Sequence, residues 1–407
     1  MTLRVLYSFP DTVGKPGLGS TARQQIRGLV EQGVHVTLYC TSVAGGDSPA
    51  QRVVTTLSAA GVRVPHRALG GGDRAYRYHD WRVARALERL GDSVDIVHCW
   101  PRATLQTSAS AKRLGIPTLR EVPNTHTAHA YERAARETEA LGLRLPRGHS
   151  HAYDPRRLER ELGEYDHADF LLVPSEFSKR TFTDRGFAED RLLLHRYGFD
   201  PDRFFPDVAL ERGAANGGLS ALFAGACEPR KGLHHALRAW RASGADEHGR
   251  LIVCGRFAPG YRDALGSLLE HPSIEVRGFV GDVGEHMRRS HVFVFPSIEE
   301  GSALVTYEAQ GCGCVLAVSD AAGARCEHGR QGLVHPAGDV SRLTEHLHML
   351  STDRGLLSRM RAATVASRKE LSWDRAGEEL VETYESALRS GFRDEGVAVG
   401  LRGRRDT

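Results

Sequence analysis

The chain has 407 residues, 26% charged and 41% hydrophobic, with 54 Lys+Arg against 51 Asp+Glu and a formal net charge of +3. At about 100 to 200 residues per domain, this length holds two or three domains with a sizeable core, and the composition excludes a disordered chain. So small a charge on so long a chain excludes attraction to nucleic acid or an anionic bilayer as its organising feature.

Short apolar runs alternate with longer segments of helical period, the signature of βα units and a mostly parallel sheet. Met1 to Tyr7 alternates as a strand does and lacks a signal-peptide core, and no run reaches the ~18 apolar residues that cross a bilayer. A soluble, cytoplasmic chain is expected. Strands are predicted at Leu3 to Phe9, Val34 to Thr41, Asp95 to Cys99, Pro117 to Glu121 and Phe170 to Pro174. Gly17-Leu18-Gly19-Ser20-Thr21-Ala22 formally matches the dinucleotide fingerprint, but seven residues separate it from the first strand and the second strand ends without a ribose-binding acid. The period breaks from Phe199 to Leu219 into a Pro-then-Gly-rich stretch that reads as a linker. Strands resume at Ser220 to Ala224, Arg250 to Cys254, Ile274 to Arg277, His291 to Phe295 and Cys314 to Val318. Trp373, Leu380, Tyr384 and Leu388 then share one helical face. Two doubly wound α/β halves follow, with ligands expected beyond the C-terminal ends of the strands in the cleft between them. The seven cysteines are odd in number and scattered among apolar residues, which suits buried, reduced thiols. Cys312-x-Cys314 has no second ligand pair nearby and reads as packing.

The stretch Pro296-Ser297-Ile298-Glu299-Glu300-Gly301-Ser302-Ala303-Leu304-Val305-Thr306-Tyr307-Glu308-Ala309 is the most informative. A buried strand ends at Pro296, a turn contains Gly301, and a helix begins near Leu304, so free N–H groups and the positive helix end point into the cleft and favour phosphate. Glu300 in the loop and Glu308 in the helix can face one bound molecule. Carboxylates touching phosphate would repel it, so their partners are hydroxyls, for which they are strong acceptors. A ligand with phosphates in its middle and hydroxyls at both ends is a nucleotide sugar. Alone, the pair also reads as a solvated helix cap. Gly225-Ala226-Cys227-Glu228-Pro229-Arg230-Lys231-Gly232 lies at a second strand-to-helix turn, where Arg230 and Lys231 offer positive charge to the same phosphates. Lys231 is one of only five lysines in the chain.

The Glu300 and Glu308 spacing within Pro-Ser-x-x-Glu-Gly, followed by Glu-Ala, resembles the donor-site motif of family 4 retaining glycosyltransferases (glycosyl transferases group 1) with the GT-B fold. So do Pro229 to Gly232, Gly198-Phe199-Asp200 with Arg203-Phe204, Val173-Pro174-Ser175 and the Ser372-Trp373 helix start, which together span nearly the whole chain. The resemblance implies two facing Rossmann-like parallel-sheet domains: an acceptor-binding domain at 1–200, a linker at 201–218, and a donor-binding domain at 219–372. Helix 373–390 would cross back onto the first domain. By the same resemblance, Glu308 would hold the ribose hydroxyls. Glu300, with the amides of Gly301, Ser302, Ala303 and Leu304, would hold the transferred sugar and distal phosphate. Gly225 would belong to the donor site, and Arg230 and Lys231 would neutralise the departing diphosphate. The Gly17 and Gly19 loop would line the cleft beside phosphates and acceptor, and His126 would lie near the transferred sugar, with His129 as the alternative. The chain departs from the pattern at Ala226, where the family commonly has Arg, at Ser302-Ala303 in place of Phe-Gly, and after Gly323, where no Glu is in register.

The expected activity is therefore retaining hexosyl transfer from a nucleotide diphosphate sugar to an unidentified acceptor hydroxyl in glycan, glycolipid or glycosylated-metabolite synthesis. UDP-sugars come first and GDP-mannose second, on family frequency alone. No cofactor, catalytic metal, nucleic acid or transmembrane segment is expected. Asp200-Pro201-Asp202 has the D-x-D form of a metal site but lies in the linker before Arg203. A sugar-nucleotide epimerase and a catalytically silent nucleotide-sugar binding protein, the latter motivated by Ala226, are the alternatives. Seven arginines between Tyr131 and Tyr165 are matched by seven acids, which reads as a solvated or acceptor-facing insert rather than a membrane anchor.

Overall fold

The computed structural model describes residues 2–59, 62–63, 71–207 and 217–390. The N-terminal lobe carries β1 (Arg4–Val13), β2 (His35–Val43), β3 (Arg52–Thr55), β4 (Ile96–Cys99), β5 (Thr118–Glu121), β6 (Phe170–Val173) and β7 (Leu192–Leu194). These form one parallel seven-stranded sheet in the order β3-β2-β1-β4-β5-β6-β7. Helices α1 (Leu18–Glu31), α2 (Gly72–Leu90), α3 (Leu105–Leu114), α4 (Thr127–Ala140), α5 (Pro155–His167) and α6 (Glu176–Thr183) lie between the strands. The C-terminal lobe repeats the scheme with β8 (Ser220–Ala224), β9 (Arg250–Cys254), β10 (Ile274–Gly278), β11 (Val292–Phe295), β12 (Val315–Ser319) and β13 (Gly332–His335), ordered β10-β9-β8-β11-β12-β13. Its helices are α7 (Leu233–Ala242), α8 (Tyr261–Leu265), α9 (Val283–Arg288), α10 (Leu304–Gly311), α11 (Val340–Thr352) and α12 (Arg354–Ala366), and α13 (Trp373–Ser390) ends the described chain.

Every residue of β4, β6, β8, β11 and β12 is buried, because helices cover both faces of a parallel sheet and leave no polar alternation. Strands β3, β7 and β13, absent from the sequence reading, are all at sheet edges and have only three or four residues each. β1 runs on to Val13 through an irregularity between Phe9 and Thr12, so the glycine loop at 17–19 starts closer to its strand than the apolar run indicates.

The chain crosses between lobes twice, and the crossings pair. Phe199 N–H donates to Leu371 O at 3.0 Å, and Trp373 N–H to Phe199 O at 3.2 Å. α13 then lies along α1, where Gly28 and Gly377 meet backbone to backbone. Leu380 and Tyr384 are buried in the N-terminal core, with the Tyr384 hydroxyl 2.6 Å from His98 Nδ1. Phe204 is buried in the C-terminal core. The linker residues 208–216 lie outside the described residues. Among those described, no helix is long and apolar enough to cross a membrane.

Candidate active site

β11 delivers its last residue, Phe295, to the cleft floor, and the following loop carries two adjacent acids of different character. Glu299 is fully buried. From the N-terminal lobe it accepts from Thr125 Oγ1 at 2.6 Å and lies 3.3 Å from His151 Nε2; from the C-terminal lobe it accepts from Arg230 Nη1 at 3.2 Å. His151, Arg230 and Thr125 outweigh burial and hold its carboxyl well below the usual range, so it is a carboxylate. Glu300 turns the other way, into an ion pair with Lys231, with Arg230 Nη1 3.3 Å from its Oε1. The lobes come so close at Gly301 that a Cβ there would overlap the backbone at Pro123 and Asn124; only glycine fits. Ser175 Oγ donates to Gly301 O at 2.5 Å across the same contact.

Arg230 is fixed by this loop. Its Nε and Nη2 face Glu228 Oε1 at 3.1 and 3.0 Å, and its Nη1 donates to Glu299 O at 2.7 Å. All three guanidinium nitrogens have partners within this loop, and Arg230 supplies the counter-charge that a buried Glu299 needs. Lys231, paired with Glu300, has its Nζ 5.7 Å from the Phe295 ring centre. Two loop groups are also committed internally. Ser302 Oγ donates to Gly323 O at 2.9 Å, and Ala303 N–H donates to Ala322 O at 3.0 Å, so of the four loop amides expected to face the sugar that of Ala303 is already paired. Leu304 opens α10 and is half-buried.

Glu308 lies on α10, half-buried, and its carboxyl makes no hydrogen bond or ion pair with the described residues. Burial raises its carboxyl to about 7, opposed by Arg203. One turn before it, Val305 lines a 550 Å³ cavity with Gly225, Ala226, Gly255, Arg256 and Phe279 at the C-terminal ends of β8, β9 and β10. Phe279 is exposed, with the Arg256 guanidinium 4.5 Å from its ring centre.

Across the cleft, Gly17 caps α1 and Gly19 lies in its first turn; a Cβ on Gly19 would strike Thr12 O, so the loop can close only with glycine. Leu18 between them lines a 220 Å³ N-terminal cavity with Tyr76, Trp100, Arg102, Tyr131 and Arg157. Arg102 has φ 79°, the one positive φ on a non-glycine residue among those described, held by its N–H on Glu164 at 2.9 Å. His126 is elsewhere. Its ring is buried among Tyr165, Phe182 and Phe187, and its Nδ1 accepts from Ala128 N–H at 3.2 Å as the N-cap of α4. Burial lowers it to about 4, so it stays neutral. The sugar-contacting role expected of His126 is corrected to a helix cap in an aromatic core. His129 lies half-buried against Phe177, with Nε2 unpartnered.

The sequence reading passed over Glu299, which adjoins Glu300 and has no distinguishing spacing. It also passed over the contacts that the 131–165 segment makes with the other lobe. His149 Nε2 lies 3.2 Å from Glu228, and Glu137 Oε1 lies 2.7 Å from both His234 and His235. That segment is an inter-lobe contact, not only a solvated surface. The six buried cysteines bear out the packing reading, and Asp200 Oδ1 accepts from Asp202 N–H in a local turn.

Residues 16–203 match the family described as Glycosyltransferase Family 4, and residues 218–353 the one described as Glycosyl transferases group 1. A D-inositol 3-phosphate glycosyltransferase of Streptomyces bingchenggensis is 28% identical over 242 residues, which span 50% of this chain and 52% of that protein. The O-antigen chain mannosyltransferase B of Escherichia coli is 25% identical over 284 residues, 64% of this chain and 72% of that protein. In fold, the chain is similar to sucrose-phosphate synthase from Thermosynechococcus elongatus, with TM-score 0.67 at 16% identity, covering 96% of this chain and 100% of that one. With two parallel α/β sheets facing across a cleft and both lobes matched, the chain belongs to the group 1, family 4 glycosyltransferases of the GT-B fold.

Proposed function

We propose that the protein transfers a hexose from a nucleotide diphosphate donor to a hydroxyl of a small acceptor, with retention at the anomeric carbon. The observation that carries this reading is the pairing of Lys231 with Glu300 at the cleft floor, in the same lobe as a 550 Å³ cavity at the strand ends that Val305, one turn before Glu308, helps to line. The cavity suits a nucleobase, with Phe279 and Arg256 at its rim. Ribose hydroxyls donate to Glu308. Lys231 moves from Glu300 to the diphosphate as Glu300 accepts from a sugar hydroxyl, so donor binding exchanges one ion pair for two charge-assisted contacts. Lys231 then stabilises the charge that grows on the leaving diphosphate, and alignment across both lobes supplies the rest of the rate. The departing phosphate takes the acceptor proton on the same face, so no protein general base is named. Since Lys231 supplies the positive charge, the reading uses no catalytic metal.

The 220 Å³ N-terminal cavity is below the ~300 Å³ of drug-sized sites and suits a single ring. Its Arg102 and Arg157, and the Streptomyces relative's name, support a phosphorylated cyclic polyol as acceptor. The donor is a UDP-sugar first and GDP-mannose second, the latter supported by the Escherichia coli relative's name. We place the reaction in the cytoplasm. Nucleoside diphosphate release is the test, with UDP- and GDP-sugars against inositol 3-phosphate and free inositol. Release dependent on the phosphorylated acceptor is expected. Donor binding without release on any acceptor would leave a silent binding protein, and epimerised donor without acceptor would make it an epimerase.

A further inference from the structure

We propose that Glu137, His234 and His235 form a binding site for one zinc-type divalent metal ion that bridges the two lobes. Glu137 lies near the end of α4 in the N-terminal lobe, and the two histidines lie in the first turn of α7 in the C-terminal lobe. One ligand atom from each residue lies within 4.8 Å of the other two. Glu137 Oε1 is 2.7 Å from Nε2 of both histidines, so both rings aim the same nitrogen at one oxygen. Two imidazoles and a carboxylate are the donor set that zinc takes, whereas Mg²⁺ and Ca²⁺ take oxygens. Zinc bonds of about 2.0–2.2 Å at tetrahedral angles space ligands roughly 3.3 Å apart, so each contact opens by about half an ångström on binding.

The surroundings match a metal site in two further respects. His234 Nδ1 is 2.8 Å from the Tyr261 hydroxyl, which fixes the ring with Nε2 facing Glu137, the outer hydrogen bond that orients metal-binding histidines. His235 Nδ1 is buried without a partner, so His234 alone carries that outer hydrogen bond. The side chain of His234 is 2% exposed, whereas those of His235 and Glu137 are 12% and 16% exposed, which leaves an open edge for entry and for a water ligand. The site is separate from the donor loop but linked to it, because α7 begins directly after the Arg230-Lys231-Gly232 turn. An ion held from both lobes would fix their approach beside the phosphate-binding lysine.

The test is metal binding itself, independent of any donor or acceptor. The full-length chain without an affinity tag, stripped with a chelator, is titrated with Zn²⁺ by calorimetry, and again in excess Mg²⁺. The visible spectrum of the Co²⁺ form reports the ligand geometry. One equivalent of Zn²⁺ is expected, undisturbed by Mg²⁺, with a tetrahedral Co²⁺ spectrum. Glu137→Gln and His235→Gln, both chosen to keep hydrogen-bonding capacity and each checked for an unchanged metal-free melting curve, should each lower Zn²⁺ affinity at least about tenfold. No saturable binding at micromolar Zn²⁺, or a single site whose affinity neither substitution changes, would overturn the proposal.

Discussion

Glu308 and Lys231 carry opposite parts of the account and give separable predictions. Glu308 is protonated below its value of about 7 and a carboxylate above it. Because the charged form is the stronger acceptor for ribose hydroxyls, KM for the donor should rise as pH falls through 7. Glu308→Gln should remove that pH dependence and raise donor KM about 10- to 100-fold, as expected for losing a hydrogen bond to a charged group. Lys231→Ala should instead lower kcat by roughly 100-fold or more, the cost of losing a preorganised charge at a leaving group, with a smaller change in KM. Steady-state kinetics over pH 5.5 to 9 separate the two. The acids at 300 and 308 were legible in the sequence because one loop and one helix turn fix their relation. The role of Arg230 was not, since its partners Glu228 and Glu299 are set by three-dimensional packing rather than by spacing. His126 was misread for the same reason: sequence places it at the cleft edge, but the aromatic rings of α5 and α6 draw it inward.

At the scale of elements, two contacts decide stability without touching the chemistry. α1 and α13 cross at Gly28 and Gly377, where a Cβ on either residue would meet the other's backbone at under 3 Å. Gly377→Val should therefore separate the helices and lower stability by about 1–3 kcal/mol, the range for overpacking, measured by urea denaturation. His126→Ala removes the α4 cap and part of an aromatic cluster. It should cost about 1–2 kcal/mol while leaving donor KM unchanged, whereas a sugar-contacting histidine would show the loss in KM instead. The central strands were legible because full burial writes them as unbroken apolar runs. The edge strands Arg52–Thr55 and Leu192–Leu194 were not, since a few residues with mixed exposure carry no period to recognise.

At the scale of the molecule, the two lobes are held in register by a buried carboxylate of one with partners from the other. Glu299 gathers Thr125 and His151 from more than a hundred residues earlier in the chain, so no local motif announces it. Its depressed carboxyl contributes stability above the ordinary glutamate range, and that contribution is lost as pH falls below it. Glu299→Ala would remove the buried charge that Arg230, Thr125 and His151 share and leave Arg230 with Glu228 and Glu300 alone, at a cost of roughly 3 kcal/mol. Its melting temperature should fall further than that of Glu299→Gln, which keeps an acceptor for Thr125 and Arg230. Donor binding should weaken in both, because the loop that presents Glu300 loses its anchor. The most direct measurement of the central claim is a crystal structure of the chain with a bound UDP- or GDP-sugar. The account predicts ribose hydroxyls on Glu308, a sugar hydroxyl on Glu300 and Lys231 moved onto the diphosphate. A nucleotide bound away from the cleft, with the Lys231–Glu300 pair unbroken and Glu308 still without a partner, would contradict it.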